Sequence, residues 1–561
     1  MSKGEESGRR RGGRRRLTRR KLFGGTFLAG AGAMASATLN PGNANDLQVM
    51  GDAELDKLHQ PQPYTVAEHH PFMHGVASGD PLQTSVVLWT RVTPASECAP
   101  GTGVGEDVQV TWELCEDPEF SGRVRRGVTT TGPDKDYTVH VDPFELEPGT
   151  EYFYRFRFRD ATSAVGRTRT APRKTSRLRC AVTSCANFEA GYFGAYGDIA
   201  RRARAGHVDV VLHMGDYIYE YASGEAPGKH GVVRPHVPTW TITTLADYRS
   251  RYGHYRRDVE LQAAHASAPW VVTWDDHEIA NDAYEAGAEE HNPHIHGTWS
   301  QRQSAAMQAY FEWLPVRAPN PSKGGHLYRS FGFGDLVDLH MLDLRTYRSA
   351  PGTMRPKRRD EHRTMMGTEQ FQWLSIQLAT STAQWNLVGT SVMVANLNVV
   401  GLDEDTRNPL TKLVGETVPF NADQWDGFTA DRARLLEQIQ RSEQRTVFVT
   451  GDIHSEWAID VEHNGEHVAA ELVTSSVTAP NLDEFFNLPE GNAISRRAER
   501  YLRGANPHVG HVNLDAHGYA LLDVTEDNIT FSWRRVEDIA VAGSAVTTAG
   551  SVTYDGAYLQ N

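Results

Sequence analysis

The first predicted folded region of the chain alternates between apolar and polar positions. Apolar side chains occupy every second position of residues 108–114 and again of residues 152–158, with mostly polar side chains between them. This period of two is typical of strands that bury one face and expose the other. It predicts an all-β sandwich domain over residues 72–173.

From residue 178 onward, short apolar runs alternate with stretches of helical periodicity. The runs have the length of buried strands and lie at residues 178–183, 208–213, 270–274, 385–390, 446–450 and 469–474. Helical spacing of apolar positions occurs at residues 303–314, 370–378 and 430–439. This order predicts an α/β domain over residues 174–561, with one large sheet or a pair of sheets.

Three segments are less regular. The polar stretches 222–244 and 398–426 are expected to be loops near a functional site, because long loops without secondary structure are uncommon unless they have a role. Residues 524–561 fit no single pattern, so a C-terminal helix over the site stays open.

The sandwich region carries one structural motif and two cysteines. The sequence LEPGTEY at residues 146–152 resembles the turn and tyrosine corner of immunoglobulin-like or fibronectin type III domains. Cys98 and Cys115 lie in the same region, and spacing alone does not decide whether they pair. With four cysteines in 561 residues, the protein is not a disulfide scaffold.

Charge is distributed unevenly along the chain. Residues 1–37 carry ten Lys or Arg and two Glu, a net charge of +8, whereas the whole chain carries −14, which leaves −22 for the rest. With 39% hydrophobic residues the rest can bury a large core and form a soluble globular protein. Its acidity argues against a nucleic-acid partner and is compatible with binding hard cations.

Residues 1–37 have the order of an export signal. A basic region ends in TRRKLF at residues 18–23, a weakly apolar run follows, and ASA at residues 35–37 is a cleavage site of the usual kind. The twin arginines predict a Tat signal, export of the folded protein by the Tat machinery, and a secreted, extracellular or cell-wall-associated location.

Two alternatives to an export signal are a basic disordered tail and a retained membrane anchor. The apolar run is too short for a comfortable membrane span, so we expect no stable anchor. Residues 38–71, rich in Asn, Gln, Pro and His, are predicted to be a linker.

Chemically active side chains follow four of the predicted strands. The run 208–213 stops at Gly215 and Asp216, and Tyr219 comes three residues later. The other three strand ends are followed by Cys185 and Asn187, by Asp275, Asp276, His277 and Asn281, and by Asp452 and His454. If these strands are parallel, their carboxyl ends meet in one crevice. Carboxylates, histidines, a tyrosine and a cysteine are the composition of a metal site.

Each of these residues also has a structural interpretation. Asp216 could cap a turn, Asp275 and Asp276 could cap a helix, His454 could be a hydrogen-bonded turn histidine, and Cys185 could be an inert buried thiol. A shared metal site explains all four strand ends at once, whereas the structural interpretation needs four coincidences.

The motifs resemble those of the PhoD-type alkaline phosphatases and phosphodiesterases, a branch of the calcineurin-like metallophosphoesterases. The similar segments are GDYIY at 215–219, WDDHE at 274–278 and GDIH at 451–454, together with FMHGVASGDP at 72–81 and VLWTR at 87–91. The resemblance implies a four-layer α/β/β/α metallophosphoesterase domain preceded by the sandwich. It also implies Fe(3+) and Ca(2+) as cofactors.

The resemblance implies a set of metal ligands: Cys185, Asp216, Tyr219, Asp276, Asp452 and His454. Asp216 would bridge the ions and Tyr219 would bind iron as a phenolate. Cys185 stands where purple acid phosphatases have an aspartate, while Asp276 and Asp452 stand where related enzymes have an asparagine and a histidine. The added carboxylates suit calcium, whereas thiolate, phenolate and imidazole suit iron.

Catalysis would then proceed by attack of a metal-activated water on phosphorus. His277 is the candidate for protonating the leaving oxygen or hydrogen-bonding the phosphoryl group, and support of a metal ligand is its alternative role. Asn281 is a candidate ligand or phosphate contact. Arg345 could bind the substrate phosphate with two hydrogen bonds, or could form a structural ion pair with Asp343.

The sequence therefore predicts a secreted, metal-dependent alkaline phosphatase that hydrolyses phosphomonoesters and also phosphodiesters. Its expected partners are a phosphate ester substrate and the Tat machinery, and a monomer is expected. A phospholipase D-like phosphodiesterase acting on phospholipids is the alternative, since some bacterial enzymes of that activity resemble the same family. A binding protein whose α/β domain has lost activity is a third reading, against which the complete ligand set argues.

Overall fold

The structure, a computed structural model, describes residues 71–317, 319–320, 323–351, 358–398, 421–442 and 444–560. The predicted signal over residues 1–37, the linker up to residue 70 and most of the predicted loop at 398–426 lie outside these ranges. Within them, no helix is both long and apolar enough to cross a membrane.

The described strands form three sheets. The ten-stranded sheet has the order β22 (Leu559–Gln560), β21 (Val546–Tyr554), β20 (Ile529–Val536), β19 (Gly518–Thr525), β9 (Arg177–Thr183), β10 (Val210–Met214), β11 (Trp270–Thr273), β1 (Val76–Gly79), β2 (Val87–Arg91) and β5 (Thr138–Val141). The seven-stranded sheet has the order β12 (Arg329–Phe333), β13 (Val337–Met341), β14 (Trp385–Thr390), β15 (Arg445–Thr450), β17 (Glu466–Val473), β16 (Glu456–His463) and β18 (Val509–Asn513). The smallest sheet contains β4 (Arg125–Thr131), β3 (Val108–Cys115), β6 (Glu151–Phe158) and β7 (Ala161–Thr162), with β8 (Gly166–Arg169) also paired to β6.

The helices of the described residues follow the strands of the two larger sheets. They are α1 (Gly194–Arg204), α2 (Leu245–Tyr255), α3 (Val259–His265), α4 (Pro293–His296), α5 (Trp299–Trp313), α6 (Thr368–Thr380), α7 (Thr429–Ser442), α8 (Leu482–Phe485) and α9 (Ala493–Ala505). The helices predicted from periodicity correspond to α5, α6 and α7. Capping boxes begin α2 at Thr244 and α5 at Thr298, where the threonine side chain accepts from the third helical backbone N–H.

Apolar clusters arrange these elements in four layers. One cluster packs α1, α2 and α5 on the ten-stranded sheet, a second fills the space between the two larger sheets, and a third packs α6, α7 and α9 on the seven-stranded sheet. Strand β10 is buried along its whole length, because both faces of a central parallel strand are covered. The predicted α/β/β/α fold is confirmed.

The sandwich is also present, but one of its sheets is shared. Its core lies between β1, β2 and the sheet of β3 and β6. Strand β1 pairs in parallel with β11 through Gly79 and Trp270, so the sandwich continues the ten-stranded sheet. The predicted tyrosine corner forms, because the Tyr152 hydroxyl accepts a 3.0 Å hydrogen bond from the backbone N–H of Glu147. The domain division at residues 173 and 174 stays a prediction.

Two questions left open by the sequence are answered by the structure. Cys98, Cys115, Cys180 and Cys185 are all buried free thiols. Residues 524–560 form strands that extend the ten-stranded sheet, so within this described stretch no helix covers the site.

Strand directions decide where the site lies. Strands β9, β10 and β11 are mutually parallel, and so are β13, β14, β15 and β17. The carboxyl ends of each set therefore lie at one edge of its sheet, which is where α/β folds bind ligands.

Candidate metal centre

Side chains from four strand ends meet between the two larger sheets. Cys185 follows β9, Asp216 follows β10, Asp276 follows β11, and His454 follows β15. The backbone N–H of Cys185 donates to the carbonyl of Gly215 at 3.1 Å, which fixes the first two ends together. The predicted convergence of these strand ends is what the fold produces.

Two glycines allow the strand ends to come this close. A Cβ atom on Gly215 would lie 2.5 Å from the Cβ of Asp275, and one on Gly451 would lie 2.8 Å from the Cβ of Ser184. Both distances are shorter than carbon atoms tolerate, so any larger residue would push the strand ends apart. Gly215 also has φ of 101°, which favours glycine.

Four of the six predicted metal ligands have a left-handed backbone conformation. The φ angles are 58° at Cys185, 57° at Asp216, 63° at Asp452 and 51° at His454. Each such non-glycine residue costs about 1–3 kcal/mol, and such strain concentrates at functional sites. The concentration of left-handed residues at these positions indicates that the fold places these side chains at a cost in backbone conformational energy.

The first donor group contains residues that the resemblance assigns to the iron side. One ligand atom each of Cys185, Asp216 and His454 lie within 4.8 Å of one another, and all three residues are buried. The Tyr219 hydroxyl lies 2.9 Å from Asp216 Oδ2 and 3.2 Å from His454 Nε2. His454 Nδ1 donates to the carbonyl of Pro480 at 2.8 Å, so Nε2 faces the other donors.

The second donor group contains Asp216, Asp276 and His277, again within 4.8 Å of one another. Asp216 belongs to both groups, as a bridging carboxylate must. Among the described residues, neither group includes Asp452, the other predicted calcium ligand. Instead, Arg345 Nη2 lies between the two calcium-side carboxylates, 3.8 Å from Asp276 Oδ1 and 3.7 Å from Asp452 Oδ1.

His277 is held by a carboxylate that the sequence reasoning missed. Its Nδ1 lies 2.7 Å from Glu220 Oε2, and Glu220 Oε1 accepts from the backbone N–H of Asn281 at 2.7 Å. The side-chain carbonyl of Asn281 accepts from the Tyr221 hydroxyl at 3.1 Å. Glu220 comes directly after Tyr219, so its place in the motif could have drawn attention to it.

Arg345 is fully buried and is surrounded by carboxylates. Its Nε and Nη2 atoms donate to both oxygens of Asp275 at 2.5 and 2.8 Å, and Nη1 donates to Asp423 at 2.8 Å. Asp343, the ion-pair partner considered from the sequence, accepts from the backbone N–H of Arg345 instead. The pairing with Asp275 and Asp423 depends on tertiary structure and had no local sequence pattern.

A further carboxylate, which lies in the WDDHE motif but received no role from the sequence, joins two of the strand ends. Glu278 accepts backbone hydrogen bonds from Asp216 at 3.1 Å, from Tyr217 at 2.6 Å and from Asp275 at 2.9 Å. Burial raises the pKa of Glu278 to about 7. It fixes the loop after β10 against the loop after β11.

The pKa values of the buried acidic groups indicate whether the site suits cations. Burial raises the pKa of Asp216 well above its usual value, and Asp276 and Asp275 raise it further, although His277 opposes them. Burial and Asp275 raise the pKa of Asp452 to about 7, and burial likewise raises the pKa of the Cys185 thiol.

These buried acids repel one another when ionised, and cations would relieve that repulsion. Burial alone would lower the pKa of His277, but Asp216, Asp276 and Glu220 raise it to about 10. The donor set of thiol, phenol, imidazole and carboxylates therefore fits two cations, a softer one beside Cys185 and a harder one beside Asp276.

Comparison of the chain with known proteins shows its family. The family model described as PhoD-like phosphatase matches residues 180–533, and that of the PhoD-like phosphatase N-terminal domain matches residues 59–172. Alkaline phosphatase D of Bacillus subtilis (strain 168) is 35% identical over 547 residues, which cover 94% of this chain and 87% of that protein.

A solved structure, described as the structure of PhoD, matches with a TM-score of 0.77 at 33% identity. The match covers 88% of this chain and 92% of that one. Both modules and both larger sheets are therefore shared with a phosphoric ester hydrolase, and the chain belongs to the PhoD-like phosphatase family.

Proposed function

We propose that this phosphatase is an exported enzyme that hydrolyses phosphomonoesters at alkaline pH, and also phosphodiesters, with iron and calcium as cofactors. The observation that carries the proposal is the convergence of Cys185, Asp216, Tyr219 and His454 in one buried donor group. Thiolate and phenolate are poor calcium ligands and good iron ligands, so this side suits Fe(3+).

The calcium side is built from oxygen donors. Asp216 would serve both ions, and Asp276 and Asp452 would complete the second position with carboxylates. When bound, the two cations would polarise the phosphoryl oxygens and lower the pKa of a nearby water. To bind calcium, the carboxylates of Asp276 and Asp452 would have to move away from Arg345 and toward the ion.

The remaining predicted residues have roles around the phosphoryl group. His277 Nε2 faces Asp216 and Asp276, and we assign it to protonate the leaving oxygen. Glu220 holds the His277 ring in the required orientation. Asn281, linked to the same carboxylate, is assigned a contact to substrate or metal.

The sequence leaves two roles open for Arg345, binding of the substrate phosphate and a structural ion pair with Asp343. Its complete burial and its hydrogen bonds to Asp275 and Asp423 favour a different role, in which the guanidinium fixes the carboxylates that surround the calcium position. We therefore propose Arg345 as a positioning residue.

Export is part of the proposal and has its own test. The twin arginines Arg19 and Arg20 support Tat export, a secreted location and release of residues 1–37. Amino-terminal sequencing of protein from the culture medium should begin near residue 38. Replacement of both arginines by lysine should keep the protein inside the cell, and unchanged export of that variant would contradict the Tat assignment.

Substrate class is tested by three parallel assays. The exported enzyme is incubated with an aryl phosphate monoester, an aryl phosphate diester and phosphatidylcholine. We expect turnover of the monoester and, more slowly, of the aryl diester. Strong turnover of the phospholipid with little of the monoester would instead support the phospholipase D-like alternative.

A further inference from the structure

A basic stretch far from the metal centre has no role in the chemistry described so far. Residues 167–179 contain six Lys or Arg and no acidic residue. The stretch runs through the connection from β8 to β9, where the sandwich meets the larger sheets.

Five of these cations line a groove of about 690 Å³, a volume within the range of ligand-binding sites. The cations are Arg169, Arg173, Lys174, Arg177 and Arg179. Glu147 and Asp209 are the acidic residues of the lining, so positive charge is in excess. This excess stands out on a chain whose residues after position 37 carry a net charge of −22.

The groove and the metal centre lie at opposite edges of the same sheet. Arg177 begins β9, Asp209 precedes β10 and Pro269 precedes β11, so the groove lies at the amino ends of these strands. Cys185 lies eight residues beyond Arg177, past the carboxyl end of β9. At roughly 3.3 Å per residue the two sites are about 26 Å apart, so the groove is separate from the metal centre.

The cations are of two kinds. Arg169 and Arg179 both pair with Asp209 at 3.2 Å, and Arg177 pairs with Asp523, so these three guanidinium groups are held in place. Arg173 and Lys174 are exposed, and neither forms an ion pair with a described residue. Fixed guanidinium groups beside uncompensated charges suit repeated contacts with phosphate, which arginine binds through two hydrogen bonds.

We propose that this groove binds a linear polymer with repeating phosphate groups and thereby holds the enzyme on phosphate-rich material. The paired arginines are anchored on two different carboxylates, Asp209 and Asp523, and two further cations are unpaired with described residues. The groove therefore offers several cationic contact points, which matches a chain of anions better than a single ion. Binding at the edge opposite the metal centre leaves that centre accessible to substrate. It would raise the local concentration of phosphate esters around the enzyme.

The test measures binding of fluorescently labelled linear inorganic polyphosphate by anisotropy. The sample is the exported chain with its first residue determined, because the ten cations of residues 1–37 would also bind a polyanion. The variant is Arg173→Ala/Lys174→Ala, whose two side chains are exposed and unpaired with described residues. The control is Arg500→Ala/Arg503→Ala, which removes the same charge from the exposed face of α9.

We expect the groove variant to raise the Kd for polyphosphate about tenfold at low salt and the control variant to leave it unchanged. Both variants should hydrolyse an aryl phosphate with wild-type kcat and KM, because the groove is remote from the metal centre. An unchanged Kd in the groove variant would overturn the proposal. Equal affinity for polyglutamate, or tighter binding of single-stranded DNA, would also overturn it by showing general polyanion or nucleic-acid binding.

Discussion

Replacement of Glu220 by glutamine tests the proposed role of His277. The two side chains are buried, and the 2.7 Å contact between Glu220 Oε2 and His277 Nδ1 orients the ring. The ring also packs against Tyr219 with centroids 4.2 Å apart, so its position is restrained while Glu220 stabilises its protonated form. Glutamine keeps the shape of the side chain and removes its charge.

The magnitude follows from the loss of one hydrogen bond, because Glu220 accepts from His277 and Asn281 with two oxygens and glutamine has only one. A hydrogen bond to a charged group contributes about 1.5–3 kcal/mol, and if that amount is lost from the transition state, kcat/KM falls about 10-fold to 150-fold. Burial by itself would raise the pKa of Glu220, but His277 holds it below its usual value, so Glu220 is ionised at working pH.

The assay is steady-state hydrolysis of an aryl phosphate by the wild-type enzyme and Glu220→Gln, with metal content measured on the same samples. Glu225→Gln is the control, because Glu225 is exposed in the same loop and contacts no residue of the metal centre. We expect Glu220→Gln to keep its metals and lose kcat/KM. Activity above half of wild type, or a loss explained entirely by missing metal, would refute the role assigned to Glu220.

Three further predictions concern the metal centre and stability. Cys185→Ser should lose bound iron, whereas Cys180→Ser should retain it, because the Cys180 thiol lies in the core between the sheets. Equal iron in the two variants by elemental analysis would remove Cys185 from the ligand set. Arg345→Met should lower the free energy of unfolding of the chelated protein by about 3–5 kcal/mol in denaturant titrations, because two buried carboxylates lose their partner; an unchanged midpoint would show that these ion pairs do not stabilise the fold. Burial raises the pKa of Glu260 to about 7, so its ionisation costs stability as pH rises from about 4.5 to 7. Glu260→Gln should therefore be more stable than wild type at pH 8.5 and equal to it at pH 4, and the same difference at both values would contradict the pKa shift.

Local patterns sufficed for the elements that carry the site. Strand 385–390 was predicted with the bounds of β14, and the runs ending near Thr183, His213 and Thr450 correspond to β9, β10 and β15. Buried parallel strands are continuous apolar runs, and polar residues directly after them stand out. The candidate ligands Cys185, Asp216 and His454 could be recognised for that reason.

Features that depend on distant pairing could not be read in this way. Nothing local near Gly79 indicates that β1 pairs with β11 almost two hundred residues later, so the sharing of one sheet by both modules was missed. The contacts of Arg345 with Asp275 and Asp423 and those of Glu220 with His277 likewise join separate loops. The C-terminal strands were ambiguous because alternating segments such as β21 expose much of one face.

The central claim is that one buried site holds iron beside Cys185 and calcium beside Asp276. The most direct measurement is elemental analysis of the purified, exported protein, paired with aryl phosphate hydrolysis before and after calcium chelation. We expect bound iron that survives mild chelation, and activity that is lost with calcium and restored when calcium is added back. Zinc as the bound metal in place of iron and calcium, or full activity in a metal-free protein, would contradict it.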